Sequence, residues 1–241
     1  MLGISVTTLT TWALRLAIAA PVIAITLLAL FRFGVMDFRL PLLGVAVASL
    51  LAIIALLLGA MALIGGFGGD GGHTQKAVIA VVLALVVLYA PLSTLRKGAN
   101  VPPIHDISTD LDTPPVFTAV PATRVASDNS LDINADVQAQ QKAFYTELAP
   151  LRLAGSPSDN FAKAVAAAEA MGWDIVAQDA SAGTLEATAT TAMFGFKDDV
   201  SIQLTSDAGA TKVDVRSASR VGLSDLGANA ARIEAYFAAL K

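Results

Sequence analysis

From Leu40 to Ile64 the chain reads LPLLGVAVASLLAIIALLLGAMALI, without one charged side chain. About 20 apolar residues carry an α-helix across the roughly 30 Å hydrocarbon core of a bilayer, so this run is read as a membrane span. Two further runs, Leu14 to Phe31 and Ala77 to Leu95, are similar in length and character. Together they explain a composition that is 55% hydrophobic and 15% charged, with mean hydropathy +0.64, too apolar for an average water-soluble domain. Residues 1–97 are therefore expected to form a transmembrane bundle with spans at about 14–31, 40–64 and 77–95, and residues 98–241 one soluble α+β domain.

The first run carries Arg15 near its start and Pro21 inside. A cleaved signal peptide has a similar charged start, but the length of the run and the lack of a cleavage site argue for a span. Arg15 is expected to snorkel to the headgroups, because burying its charge at mid-membrane costs several kcal/mol; the alternative is an arginine facing into the bundle. Gly44, Gly59 and scattered Ala and Ser residues let helices approach closely, as expected of a packed bundle. Apart from Arg15 the spans hold no ionisable group, which argues against transport.

The chain has no cysteine, which excludes disulfides, thiolate metal sites, thiol catalysis and a lipidated cysteine anchor. A net charge of −4 without clustered Lys and Arg argues against nucleic acid as a partner. Arg32 and Arg39 flank the first connection, and Arg96 and Lys97 follow the third span, against Arg15 and Lys76 on the other side. By the positive-inside rule alone this small excess puts the soluble domain in the cytoplasm.

Gly65 to His73 contains a formal GxGxxG from Gly66 to Gly71, but a dinucleotide site needs a strand before it and a helix after it within a βαβ unit. A flexible connection with an exposed His73 is the expectation. After Lys97, Pro102-Pro103 and Pro114-Pro115 forbid a helix. This stretch is either a linker or an ordered strap in which Ile104, Ile107, Val116 and Phe117 pack onto the domain. His105-Asp106 lacks further ligands, so no metal and no cofactor are expected.

Beyond Val137 the periodicities sharpen. Gln138 to Leu148 suits a short helix ended by Pro150, and Ser156-Pro157-Ser158-Asp159 is a capping-box start for a helix that runs to Met171 and ends at Gly172. Strands are expected at Trp173–Gln178, Thr184–Thr191, Asp198–Thr205 and Lys212–Val221, and short links make them an antiparallel meander. A last helix, about Asp225 to Leu240 with Ser224 as its cap, completes α-β-β-β-β-α, with both helices on one sheet face.

Alternation assigns the faces. Leu185, Ala187, Val200, Ile202, Val213 and Val215 point to the helices, whereas Glu186, Thr188, Asp199, Ser201, Gln203, Asp214, Arg216 and Arg220 point away. One reading of this polar face is a solvated surface with cross-strand ion pairs. The other is a ligand site in which Arg216 and Arg220 grip a carboxylate or phosphate, beside Glu186, Asp199, Asp214 and the helix start at Ser224 and Asp225. Asp225 weakens that site with its own charge. Phe194-Gly195-Phe196 is expected to seal the core edge, the alternative being an exposed tip for a partner.

Four segments, Pro102-Pro103-Ile104-His105-Asp106-Ile107-Ser108-Thr109-Asp110, Phe194-Gly195-Phe196-Lys197-Asp198-Asp199, Val213-Asp214-Val215-Arg216-Ser217-Ala218-Ser219-Arg220-Val221-Gly222 and Ser224-Asp225-Leu226-Gly227-Ala228-Asn229, resemble the DUF1499 family of uncharacterised bacterial and plastid proteins over roughly residues 100 to 240. The resemblance makes the strap part of the domain and supplies no catalytic residue. Many relatives are exported or plastid-targeted, which implies a bacterial inner-membrane protein whose soluble domain is periplasmic, against the charge count.

The sequence thus points to a non-enzymatic module, partnered with the lipid bilayer through its spans, that binds an anionic small molecule, a lipid headgroup or a membrane protein. An assembly factor is the alternative. A hydrolase is disfavoured because Gly222-Leu223-Ser224-Asp225-Leu226 is not a GxSxG elbow and Asp198 and Asp199 fall on opposite faces of a strand.

Overall fold

A computed structural model describes residues 5–66 and 71–241. The chain divides into two compact units, Met1–Arg96 and Lys97–Lys241.

The first unit holds α1 (Val6–Arg32), α2 (Arg39–Gly65) and most of α3 (Gly71–Gly98), three helices long and apolar enough to cross a membrane. α1 begins well before Leu14. Ser5 caps it by accepting from the Thr8 amide, and the hydroxyls of Thr10 and Thr11 donate to the carbonyls of Val6 and Thr7, so polar side chains are satisfied on the helix itself. The buried positions are small and recur at steps of three and four: Ala13, Ala17 and Ala20 in α1, then Ala48, Ala52 and Ala55 in α2, with Ala80 and Ala84 in α3. A methyl group built on Gly44 would come within 2.6 Å of Leu27 in α1, and one on Gly59 within 2.8 Å of Val81 in α3. Large side chains such as Leu50, Leu57 and Val86 point outward. Close contact between small residues thus holds the bundle, as it must where lipid is as apolar as leucine. Arg15 faces out and lies 5.4 Å from the Trp12 ring centre, away from the bundle interior. His73 falls in the first turn of α3, half-buried and 3.5 Å from the Thr7 hydroxyl, not fully exposed as expected. The glycine-rich stretch at Phe67–Asp70 lies outside the described residues.

The second unit contains the four expected strands as β3 (Asp174–Asp179), β4 (Thr184–Thr190), β5 (Lys197–Asp207) and β6 (Ala210–Ser219), all antiparallel. Two short strands were not foreseen. β1 (Asp106–Ser108) and β2 (Leu151–Ala154) share the outer edge of β6, pairing with residues 216–218 and 210–213. Between them the Thr109 hydroxyl accepts from the Val215 amide and the Val215 carbonyl accepts from Thr109, which closes the gap in the edge.

α5 (Pro157–Ala170) starts with the expected capping box, the Ser156 hydroxyl and Asp159 carboxylate each accepting from the other's amide. Gly172 follows it with φ +73°. α4 (Ala135–Phe144) is capped by Asn134, a few residues earlier than expected. α6 (Ala228–Leu240) starts later than expected, because Leu226 and Gly227 both have positive φ. Its first amides turn to Asp225, whose carboxylate accepts from Gly227 and Asn229; Ser224 instead accepts from Leu226. α5 and α6 cover the expected apolar face, where Leu185, Ile202 and Val215 are fully buried with Ile233 and Tyr236. Tyr236 stacks on Trp173 at 5.2 Å and donates to the Ala164 carbonyl.

Candidate functional site

The polar sheet face is not open. Residues 109–134 cross it as an ordered strap, with a 3-10 turn at Val120–Thr123, and an apolar spot of Phe117, Val120 and Ala218 pins the crossing. An irregular segment has no ladder for its amides, so the sheet must supply acceptors. Glu186, expected in a ligand site, is the acceptor. Its carboxylate takes the amides of Thr118, Ala119 and Val120 at 2.7 to 3.1 Å and the Thr118 hydroxyl. Burial alone would raise its pKa, but these hydrogen bonds outweigh burial and hold it below the ordinary value.

The expected arginines are buried and occupied. Arg220 grips Asp199 through Nε and Nη2 at 2.7 to 3.2 Å and donates to the Thr123 carbonyl and hydroxyl. Asp199, fully buried, also accepts from Arg124 at 2.6 Å and from Thr188. Arg216 forms a two-point pair with Asp106 at 2.6 and 3.0 Å, donates to the Leu131 carbonyl and lies 5.1 Å from the Phe117 ring centre. The depression that reaches Arg216 encloses about 20 Å³, room for a water molecule. The reading of this face as a solvated surface is therefore corrected, and the guanidinium groups fasten the strap.

A second network lies on the helix side. Asp198 pairs with Arg232, which also donates to Ser217 and Asn229; Asn229 in turn donates to Ser219 and the His105 carbonyl. Asp225 belongs to this region, its pKa raised by burial against the lowering effect of the Gly227 and Asn229 amides. Among the described residues no buried side-chain nitrogen or oxygen lacks a hydrogen-bond partner, and no three His, Cys, Asp or Glu side chains are grouped to hold a metal ion. The seven expected site residues do not share one pocket: Arg220 and Asp199 pair with each other, Arg216 pairs with Asp106, Ser224 and Asp225 hold the start of α6, and only Glu186 and Asp214 line a common groove on the polar face. Sequence reasoning missed Arg124, Arg232 and Asn229, and treated Asp106 only as half of a metal pair.

Beside the Thr113–Thr118 part of the strap, a groove of about 460 Å³ remains on the polar face. Thr184, Gln203 and Asp214 are cross-strand neighbours on its floor, Thr205 and Lys212 form the adjoining pair, and Pro114 to Val116 form one wall. Lys212 lies between Asp110 at 2.7 Å and Asp214 at 3.0 Å. Its hydrogen bond to Asp110 holds that carboxyl well below the usual range and raises its own pKa. At Asp214 burial prevails over the same ammonium and pushes the pKa up. The groove floor therefore offers hydroxyls, the amide oxygen of Gln203, whose nitrogen donates to the Ala182 carbonyl, and an ammonium already shared by two carboxylates.

At the connection from β4 to β5, Phe194 and Phe196 stack on each other at 5.3 Å, half-buried and outside the main core cluster, with Met193 exposed beside them. They seal each other more than they seal the core.

A family model described as "Protein of unknown function (DUF1499)" matches residues 106–240, more than half of the chain, and the chain belongs to that family. No curated protein matches it.

Proposed function

We propose that this DUF1499 member is a membrane-anchored binding module whose ligand site is the groove beside the strap, not the buried arginines. The observation that carries the reading is the groove floor, where the hydroxyls of Thr184 and Thr205 and the amide oxygen of Gln203, whose nitrogen is already held by the Ala182 carbonyl, adjoin the Lys212–Asp214 pair. Donors and acceptors are mixed, and the ammonium already serves two carboxylates. Such a floor suits a ligand rich in neutral hydroxyls, such as a glycan or a polyol headgroup, better than a compact anion. Binding without catalysis is supported by the serines: Ser217 donates to Asn229 and accepts from Arg232, a permanently charged donor where a nucleophile would need a base.

Calorimetric titration of the whole chain in lipid nanodiscs with neutral oligosaccharides, uronic acids and inorganic phosphate tests this. Saturable heat with a neutral glycan, lost in Gln203→Ala/Thr205→Ala, is expected. Saturation by phosphate alone, or by nothing, overturns the reading.

The reading also places the soluble unit on the periplasmic side of a bacterial inner membrane, supported by the export that the family resemblance implies, although the charge count favours the other side. Because the chain has no cysteine, Ala180→Cys gives a single reporter. Labelling by a membrane-impermeant maleimide in intact spheroplasts supports this side, and labelling only after lysis reverses it.

A further inference from the structure

The two ends of the sheet in Lys97–Lys241 expose different chemistry. At one end lie the turn Asp179–Gly183, the turn Asp207–Gly209 and the approach to α5 at Gly155–Ser158, and among the described residues none of these exposes a large apolar side chain. The other end is fixed by register: Thr190 pairs with Lys197, Asp198 with Ser219 and Asp106 with Ala218, and the Arg220 amide donates to the Lys197 carbonyl. Three connections gather there, and each exposes an apolar residue. Leu223 is 83% exposed, Val125 65% and Met193 60%. The Val125 segment is tied to the Leu223 loop, since the Asn129 side chain donates to the Gly222 carbonyl.

The chain also enters the unit at this apolar end. A methyl group built on Gly98 would come within 2.7 Å of Leu226, one on Gly227 within 3.5 Å of Val101, and the Asp225 amide donates to the Ile104 carbonyl. Gly98 is the last residue of the third apolar helix. The apolar end is therefore the one tethered, within a few residues, to the segment that crosses the bilayer. The Leu223 loop is also built firmly: Leu226 adopts φ +55°, a conformation unfavourable for a bulky residue, and Ser224 and Asp225 hold it by accepting from the Leu226 and Gly227 amides.

We infer that this end of the soluble unit rests on the lipid interface, with Leu223 and Met193 as the side chains that enter the boundary between headgroups and acyl chains. The tether keeps the local concentration of lipid surface high, so a few apolar contacts suffice where a free protein would need many. Lys97 and Lys197, both exposed and both at this end, supply charge for anionic headgroups. This inference is independent of the groove and of any ligand held there.

The test uses the whole chain in nanodiscs of mixed zwitterionic and anionic phospholipid. Leu223→Cys and Met193→Cys each carry an environment-sensitive fluorophore, with Ala180→Cys at the opposite end as the comparison, and quenching is read with lipids bearing a nitroxide at a shallow acyl position. Quenching several-fold stronger at 223 and 193 than at 180 is expected. Solvent-like emission at 223, equal quenching at 180, or a shielded emission at 223 that lipid nitroxide leaves untouched, as a covering protein would give, each overturns the inference.

Discussion

On one side of the sheet Val200, Ile202 and Val215 meet α5 and α6 mainly through hydrocarbon, whereas one residue away along the same strands Asp199, Arg216 and Arg220 meet the strap through charge. Both faces are buried, so the contrast is not between inside and outside. A helix arrives with its own amides satisfied and needs only an apolar surface. The strap arrives with amides and carbonyls unpaired, and the sheet answers with Glu186 for three consecutive amides and with arginines for the carbonyls of Thr123 and Leu131. A polar face of this kind also fixes position more narrowly than hydrocarbon does, because each pair tolerates one geometry.

If that contrast is right, the largest effect should come from unpairing the strap side. Asp199→Ala leaves Arg124 and Arg220 buried without their shared anion, and a loss of about 3–5 kcal/mol is expected. Hydrogen exchange of the whole chain in nanodiscs should show residues 118–131 opening first. Ile202→Ala, on the hydrocarbon side, should cost about 2–5 kcal/mol through the cavity it leaves, but with protection lost evenly over the sheet and helices. Equal loss across the whole unit for both variants would mean that the two faces do not differ in the way argued.

Glu186→Gln sharpens the comparison with a smaller effect and a pH signature. Replacing hydrogen bonds to a charged acceptor by neutral ones should cost about 1.5–3 kcal/mol at neutral pH. The folded carboxyl lies below its ordinary value of 4.5, so its stabilisation is complete above that value and is lost as pH falls through the lower folded one. Wild type and variant should therefore differ in exchange at Thr118 to Val120 at pH 7 and converge in acid. Asp214 has the opposite sign. Its raised pKa means that its ionisation opposes folding above that pKa and that acid relieves the penalty.

The same contrast explains what the sequence could disclose. Alternation in β4, β5 and β6 has a period of two and is local, so the meander and its apolar face were legible, as was the α5 start at Ser156-Pro157-Ser158-Asp159. The partners of the polar face are not local: Asp106 meets Arg216 across 110 positions and Arg124 meets Asp199 across 75. Nothing in the spacing of a single chain ties such residues together, and charged residues on alternate positions read as solvated by default. β1 is three residues long and β2 four, too short for a period to show. In the spans, Gly44 and Gly59 were legible as packing residues, but which helix each touches required the structure.

The smallest expected effect is the control that could break the comparison. Arg152 and Asp207 form an ion pair at the edge of the same sheet, but their side chains are 64% and 33% exposed. Water already solvates both ions and salt screens them, so Arg152→Ala should cost less than about 1 kcal/mol, and less again at high ionic strength. A double-mutant cycle with Asp207→Ala isolates the pair from any packing of the arginine stem. Applied to Arg216 and Asp106, whose side chains are 4% and 15% exposed, the same cycle should give the larger coupling, with little dependence on salt. Coupling of equal size at the two pairs would show that burial adds nothing to the Arg216–Asp106 charges, and the strap would then be held by the Glu186 hydrogen bonds, the contacts around Asp199 and its apolar spot at Phe117 and Val120.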